Sequence, residues 1–257
     1  MWFTPESNTF CVVGKLHDAG FEYRRVRPIK EKFLDYGFRL DESEPSLVVA
    51  VGGDGTFLRA VRKYPESSIL GIRSESRGNS LQIDFEDSDE AIKRILKGDY
   101  EISRVSKAEL VYKDKKFWGL NEVYFIRDTS KFPGANRFRV FKEGKDVYSD
   151  EIYADGCMFA TYFGSSAYNW SCQGPVLDEG EFAFTPIAGC CLNRKVKNVS
   201  EKAKSLVVKG DKINVKIKRS AENVICGDNQ ILVKTTLRKN EEISFRKSDS
   251  CIKLLKL

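Results

Sequence analysis

The sequence predicts an α/β domain followed by an all-β domain of sandwich-like character, and three observations carry that prediction. A continuous apolar run, Leu47-Val48-Val49-Ala50-Val51, sits between Pro45 and Gly52, as a strand buried on both faces of a parallel sheet would. Helical spacing alternates with short strand-like runs up to residue 104. From residue 105 onward, hairpin signals and two-residue alternation take over. The expected division is an α/β domain over 1–104, a mostly β domain over 105–240, and C-terminal strands over 241–257 that could return to the first domain.

The elements follow in order. Glu6 to Ala19 reads as a helix with Phe10, Val13 and Leu16 on one face, and Phe21 to Val26 as a short strand. After the buried strand, helical spacing resumes from Thr56 to Tyr64 and stops before Pro65. Ser68 to Ile72 is a further strand. Asp87-x-x-Glu90 resembles a capping box that opens a helix through Lys97, closed by Gly98. Glu109–Tyr112 and Phe117 onward flank a Lys113-Asp114-Lys115-Lys116 turn, and Phe138–Lys142 and Val147-Tyr148 flank Glu143-Gly144-Lys145. Lys212 to Lys218 alternates lysine or asparagine with Ile213, Val215 and Ile217, a half-buried strand with a solvated face. Ile243–Phe245 and Cys251–Leu257 complete the β-rich half.

Composition narrows the function class. The chain has 257 residues, 41% hydrophobic and 31% charged, with a formal charge of +6. That is an ordinary globular balance with enough length for a core that needs no disulfides or structural metal. No apolar run approaches bilayer length, and the first residues lack a basic region and an apolar core. A soluble cytoplasmic protein without membrane or nucleic-acid partners is therefore expected. The seven cysteines form no C-x-x-C pair, so free thiols are expected, with Cys190-Cys191 as core packing and no zinc site. The one histidine, His17, reads as a helix end before Gly20. Proton transfer would then fall to a carboxylate.

Gly52-Gly53-Asp54-Gly55-Thr56 is the most informative stretch. It lies where a buried strand turns into a helix, so glycines let the backbone approach a ligand and the helix start favours phosphate. The plainer alternative is a tight turn with Asp54 as the helix cap. A carboxylate in a phosphate loop suits phosphoryl transfer, where it can orient or deprotonate an acceptor hydroxyl.

With that loop, the sequence resembles the NAD kinase family and the wider kinase superfamily that shares G-G-D-G-T. The resemblance continues in order through Asn121-Glu122, Asp155-Gly156, Gly164-Ser165-Ser166-Ala167-Tyr168, Ser171, Gly174-Pro175, Thr185-Pro186-Ile187, and Asp228 with Gln230. It implies substrate binding by the mostly β domain over 105–240, an active site between the two domains, and Mg²⁺-dependent transfer of a phosphoryl group from ATP to the adenosine ribose 2′-hydroxyl of NAD. Carried over, Asp54 would be the base, and Gly52, Gly53, Gly55 and Thr56 the phosphate loop. Asn121 and Glu122 would hold the ribose, while Ser166, Ala167, Tyr168 and Ser171 would shape the adenine pocket. Asp155 would reach the nicotinamide end, in this family often of a neighbouring subunit, which implies a homo-oligomer (a dimer or tetramer).

Several positions depart from the family pattern. Thr161-Tyr162-Phe163-Gly164-Ser165-Ser166 stands where the family has T-P-T-G-S-T, and Gly71-Ile72-Arg73-Ser74-Glu75 where it has G-I-N-x-G. Arg73 is a candidate phosphate contact, with an ion pair to Glu75 or Asp54 as the alternative. Asn229 replaces a glycine, and Cys172-Gln173 replaces A-G. The family's first strand with its phosphate turn is hard to find before residue 45, which suggests an abbreviated or rearranged first subdomain. A related kinase acting on a lipid, sugar or nucleoside hydroxyl, or a non-catalytic dinucleotide-binding protein, are the rival readings.

Overall fold

The computed structural model describes residues 8–15, 19–74, 81–131, 133–148, 150–192, 200–210 and 212–257. The chain forms two compact units, residues 1–105 with 251–257, and residues 106–250.

In the first unit, β1 (Thr9–Val13) is followed by a helical turn α1 (Ala19–Phe21), a π-helical segment Glu22–Val26, and α2 (Arg27–Asp35). Then come β2 (Arg39–Leu40), β3 (Leu47–Gly52), α3 (Asp54–Lys63), β4 (Ser68–Arg73), β5 (Ile83–Asp84) and α4 (Ser88–Lys97). β2, β1, β3 and β4 lie side by side, all parallel, and β5 pairs with β4. All six residues of β3 are buried, as its unbroken apolar run requires. The core joins Phe10, Phe33 and Phe38 to Val49, Val51, Leu70 and Ile92. α4 begins at Ser88 with no side-chain cap bond from Asp87, and Gly98 closes it at φ +74° in the left-handed region.

Two expectations for this unit are corrected. Thr9–Val13 is a strand, not part of a helix, because Phe10 to Val13 pair in parallel with Leu47 to Ala50. Thr, Val and Phe suit a pleated surface, and pairing with a buried strand outweighs the local helical spacing. This is the first strand that the sequence seemed to lack, and Gly14 follows it. A Cβ on Gly14 would lie 2.2 Å from Val26 Cγ2, so a side chain there would collide with the next segment. Phe21–Val26 is helical, with Phe21 and Val26 buried and the charged residues between them turned outward. Leu16 and His17 lie outside the described residues.

The second unit is built of antiparallel strands. β6 (Glu101–Tyr112) enters it and pairs with β7 (Lys115–Gly119), with Lys113 and Asp114 both left-handed at the turn. β8 (Glu122–Arg127), β9 (Asn136–Lys142), β10 (Lys145–Asp146), β11 (Ile152–Ala154) and β12 (Gly156–Thr161) follow. A short helix α5 (Tyr168–Ser171) precedes β13 (Phe182–Ile187), β14 (Cys190–Leu192), β15 (Ser200–Lys202) and β16 (Leu206–Val208). The last strands are β17 (Ile213–Ile217), β18 (Ala221–Gly227), β19 (Gln230–Leu237) and β20 (Glu242–Lys256). One sheet runs β16-β13-β12-β8-β18-β19, and β15-β14-β11-β9-β17-β20 follow one another in the other. Side chains of both sheets share one core, including Phe125, Phe159, Phe182 and Phe184 from the first and Phe138, Val215 and Phe245 from the second. This is the sandwich expected of two sheets that each have one apolar face. Ile213–Ile217 alternates buried and half-buried residues, as its sequence pattern predicts. The C-terminal half of β20 belongs to the first unit, where Lys253 and Leu254 pair in parallel with Ser68 and Ile69 of β4.

All seven cysteines are free, and Cys11, Cys157 and Cys226 are buried. Cys190 and Cys191 are half-buried, and Cys191 packs against the sandwich core. No helix among the described residues is long and apolar enough to cross a membrane.

Phe159 stacks on Phe182 with ring centroids 5.2 Å apart and also meets Phe245 at 6.1 Å. Phe159→Ala should lower the unfolding free energy by about 3–5 kcal/mol, measured by urea denaturation.

Candidate active site

The first unit holds the glycine-rich loop at the carboxyl end of β3. Gly52 has φ +153°, and a Cβ there would lie 2.6 Å from Thr56 Oγ1, so a side chain is excluded twice over. Gly53 is the helix N-cap, in extended conformation, and its carbonyl accepts from the amides of Thr56 and Phe57 at 2.9 and 3.1 Å. Asp54 is therefore not the cap but the first helical residue, half-buried, where the helix dipole favours a negative charge. Thr56 is buried and Gly55 exposed. A Cβ on Gly55 would meet nothing within 4 Å. The chain's own packing does not require glycine at this position. Arg73 at the end of β4 forms an ion pair with Asp84 of β5 at 2.7 Å, and donates to the Leu81 carbonyl at 2.8 Å. Asp84 is neither of its sequence-predicted partners, Glu75 and Asp54, and Glu75 lies outside the described residues.

The second unit fixes the backbone of residues 119–122 from three sides. Asp228 Oδ2 accepts from the Leu120 amide at 3.0 Å and Oδ1 from the Asn121 amide at 2.8 Å. The Asp228 amide donates to the Glu122 carbonyl at 3.0 Å. Thr161 Oγ1 donates to the Leu120 carbonyl at 2.6 Å, and the Thr161 amide to the Asn121 carbonyl at 2.9 Å. Close approach completes the grip: a Cβ on Gly119 would lie 2.0 Å from the Glu122 carbonyl oxygen, and one on Gly164 2.4 Å from the Asn121 backbone. Asp228 and Asn229 form the β18–β19 turn, both left-handed, at φ +50° and +60°. Asn is among the few non-glycine residues that tolerate this region, which explains how it replaces the family's glycine. Its Oδ1 also accepts from the Tyr124 hydroxyl at 3.2 Å.

The clamp presents two buried acceptors that the protein does not use. Asn121 Oδ1 and Glu122 Oε2 have no hydrogen-bond partner, and Glu122 is 1% exposed. Burial, reinforced by the neighbouring Asp228 charge, pushes the Glu122 carboxyl up to about 8. An unsatisfied buried carboxyl is costly, and a ligand hydroxyl is one remedy. Tyr168 lies near Glu122 and Asp155, whose charges both act on it, and burial raises its hydroxyl to about 12. It packs edge-on against Tyr124 at 5.4 Å. Asp155 itself is ion-paired to Arg127 at 2.6 Å. Glu122, Tyr168 and Asp155 are thus gathered in one region, with Asn121 beside Glu122. Ser166, Ala167 and Ser171 are solvent-exposed on the same loop.

Asn169 is a residue that motif reading passed over. It is fully buried, donates to the Ser165 and Pro175 carbonyls at 3.3 and 2.8 Å, and accepts from Thr185 Oγ1 at 2.8 Å. A Cβ on Gly174 would lie 2.0 Å from its Oδ1. Asn169 therefore ties the 165–175 loop to β13, and accounts for Thr185 and Gly174 in the motifs. The signal available in sequence was an amide side chain between two aromatic residues, Tyr168 and Trp170.

The chain is similar in sequence and in fold to known proteins. Residues 14–100 match the family model described as the ATP-NAD kinase N-terminal domain. A protein named NAD kinase from Caldicellulosiruptor saccharolyticus is 30% identical over 241 residues, covering 90% of this chain and 86% of that protein. One from Methanothermobacter thermautotrophicus is 28% identical, covering 84% of this chain and 73% of that protein. Among solved structures, yeast NADH kinase complexed with NADH superposes with a TM-score of 0.78 at 18% identity, covering 100% of this chain and 85% of that one. An NAD kinase from Archaeoglobus fulgidus in complex with ATP gives 0.72 at 24% identity, covering 96% and 92%.

Two outcomes test the clamp. Asn229→Ala should cost about 1–2 kcal/mol through its left-handed backbone, and Asn229→Gly clearly less, read by thermal unfolding. Glu122 binds its proton more tightly in the folded chain than the ordinary 4.5 allows. Its stabilising effect is then complete below that value and lost as pH rises to about 8. Glu122→Gln should flatten that fall in a stability–pH series.

Proposed function

Since this chain belongs to the NAD kinase family, whose members are phosphotransferases acting on a hydroxyl group, we propose that it phosphorylates the adenosine ribose 2′-hydroxyl of NAD with ATP, giving NADP and ADP. The observation that carries this reading is the pair of buried, unpartnered acceptors, Asn121 Oδ1 and Glu122 Oε2, on a clamped backbone. Vicinal ribose hydroxyls offer two donors for such a pair.

In this reading Asp54 takes the proton from the 2′-hydroxyl, the freed oxygen attacks the γ-phosphorus, and ADP leaves. The backbone of Gly52, Gly53, Gly55 and Thr56 cradles phosphate at the start of α3, where the helix dipole favours anions. Asn121 and Glu122 hold the ribose. Tyr168 gives the adenine a flat wall, with the exposed Ser166, Ala167 and Ser171 beside it. Asp155, already paired with Arg127, borders the nicotinamide end. Arg73 can offer phosphate only by sharing or leaving Asp84.

No group of three metal-ligating side chains occurs among the described residues. The donor set therefore fits a Mg²⁺ carried mainly by the nucleotide's phosphates, which would neutralise charge on the transferred group. A dimer or tetramer in the cytoplasm follows from the family resemblance.

Incubation with ATP, Mg²⁺ and NAD, read by mass spectrometry, should yield NADP. Asp54→Asn should lower kcat by about 10²–10⁴-fold without unfolding the protein. Phosphorylation of a lipid or sugar alone, with NAD untouched, would overturn the acceptor assignment. Gly55→Ala separates the ligand role from the fold. It should raise stability by about 0.5–1 kcal/mol while weakening ATP binding about tenfold or more, since the methyl group occupies space that only a ligand would contest.

A further inference from the structure

We infer that the first unit carries a second ligand site, for a small organic anion, at the opposite ends of the strands from the glycine loop. A cavity of about 730 Å³ opens there, framed by residues 43–46, 63–68, 102, 104 and 253. It lies before β3 and β4 begin, whereas ligands of parallel sheets ordinarily bind beyond the carboxyl ends of the strands. The six residues of β3 set the two places about 20 Å apart.

Three cations, Lys63, Arg104 and Lys253, line the cavity. Among the described residues none of the three makes an ion pair. Lys253 Nζ donates to the Glu66 carbonyl at 2.8 Å, Arg104 reaches only Cys251 Sγ at 3.5 Å, and Lys63 Nζ lies 4.8 Å over the Tyr64 ring. Their charges are solvated or held by neutral groups; Lys63 and Arg104 are exposed, as are the two lining carboxylates, Glu44 and Glu66, and Lys253 is half-buried. Pro45, Tyr64, Pro65 and Ile102 give an apolar wall. The frame is fixed: Ser67 Oγ donates to the Pro45 carbonyl at 2.6 Å, and Tyr64 Oη to the Glu42 carbonyl at 2.9 Å. A cavity of this size with an apolar wall and three cations against two carboxylates on its lining is a form that small-molecule sites take. The ligand class is a phosphate- or carboxylate-bearing metabolite with a compact apolar body. α3 runs from this cavity at Lys63 to the loop at Asp54.

Calorimetric titration at low salt with pyrophosphate, and separately with citrate, tests the site. The Lys63→Gln/Arg104→Gln/Lys253→Gln variant should lose about tenfold or more in affinity for at least one probe. Its KM values for ATP and NAD should stay unchanged, and circular dichroism should show a folded chain. Loss confined to pyrophosphate assigns a phosphate ligand, and loss confined to citrate a carboxylate. Arg104→Glu alone repeats the reading with one surface change if the triple variant unfolds. Isotherms identical in wild type and variants, or no binding of either probe to the wild type at millimolar concentration, would overturn the inference. The readout is binding, so it stands apart from any failure of the NAD kinase reading.

Discussion

One carboxylate holds the second unit's site in place. Asp228 accepts two backbone amides, Leu120 and Asn121, and its own amide bonds Glu122. Charge-assisted bonds of this kind contribute roughly 1.5–3 kcal/mol each. Their effect is to stop residues 119–122 from relaxing toward other partners. Asn121 Oδ1 and Glu122 Oε2 therefore stay unsatisfied, and Glu122 sits beside a like charge. This is the strain expected at a functional site, supported by well-satisfied structure around it.

The surrounding glycines serve that constraint. Gly119 and Gly164 are small because the Asn121–Glu122 backbone passes against them, and Gly174 because Asn169 does. Asn169 and Thr185 then bind the 165–175 loop to the sandwich. The first unit works by a different economy. Gly52 is forced by its backbone and by Thr56, whereas Gly55 is left open by the protein itself. One glycine belongs to the fold and the other to whatever approaches the loop.

Sequence reading picked out the motifs but misread part of the first fifty residues of structure. Ordered motifs around Asp54, Asn121-Glu122 and Tyr168 were visible because each needs particular residue types next to one another. β1 was misread because Thr9–Val13 carries no turn or cap of its own, and its state is settled by pairing with Leu47–Ala50 far along the chain. Phe21–Val26 was misread for the complementary reason: two buried positions five apart fit neither a strand nor a regular helix. Asn169 escaped because a buried amide is recognised by its partners, two carbonyls across its own loop and a hydroxyl on β13.

By itself the sequence determined the two-part architecture, the buried strand leading into a glycine turn, and the order of the motifs, since periodicity and glycine placement are local properties. Only the tertiary structure decided which polar atoms are left without partners, which glycines are sterically obligatory, and that Asn229 can stand in a left-handed turn. It also decided that Arg73 is engaged by Asp84, a residue eleven positions away on a neighbouring strand. Those outcomes depend on distance and solvent exclusion between remote segments, and no local pattern encodes them.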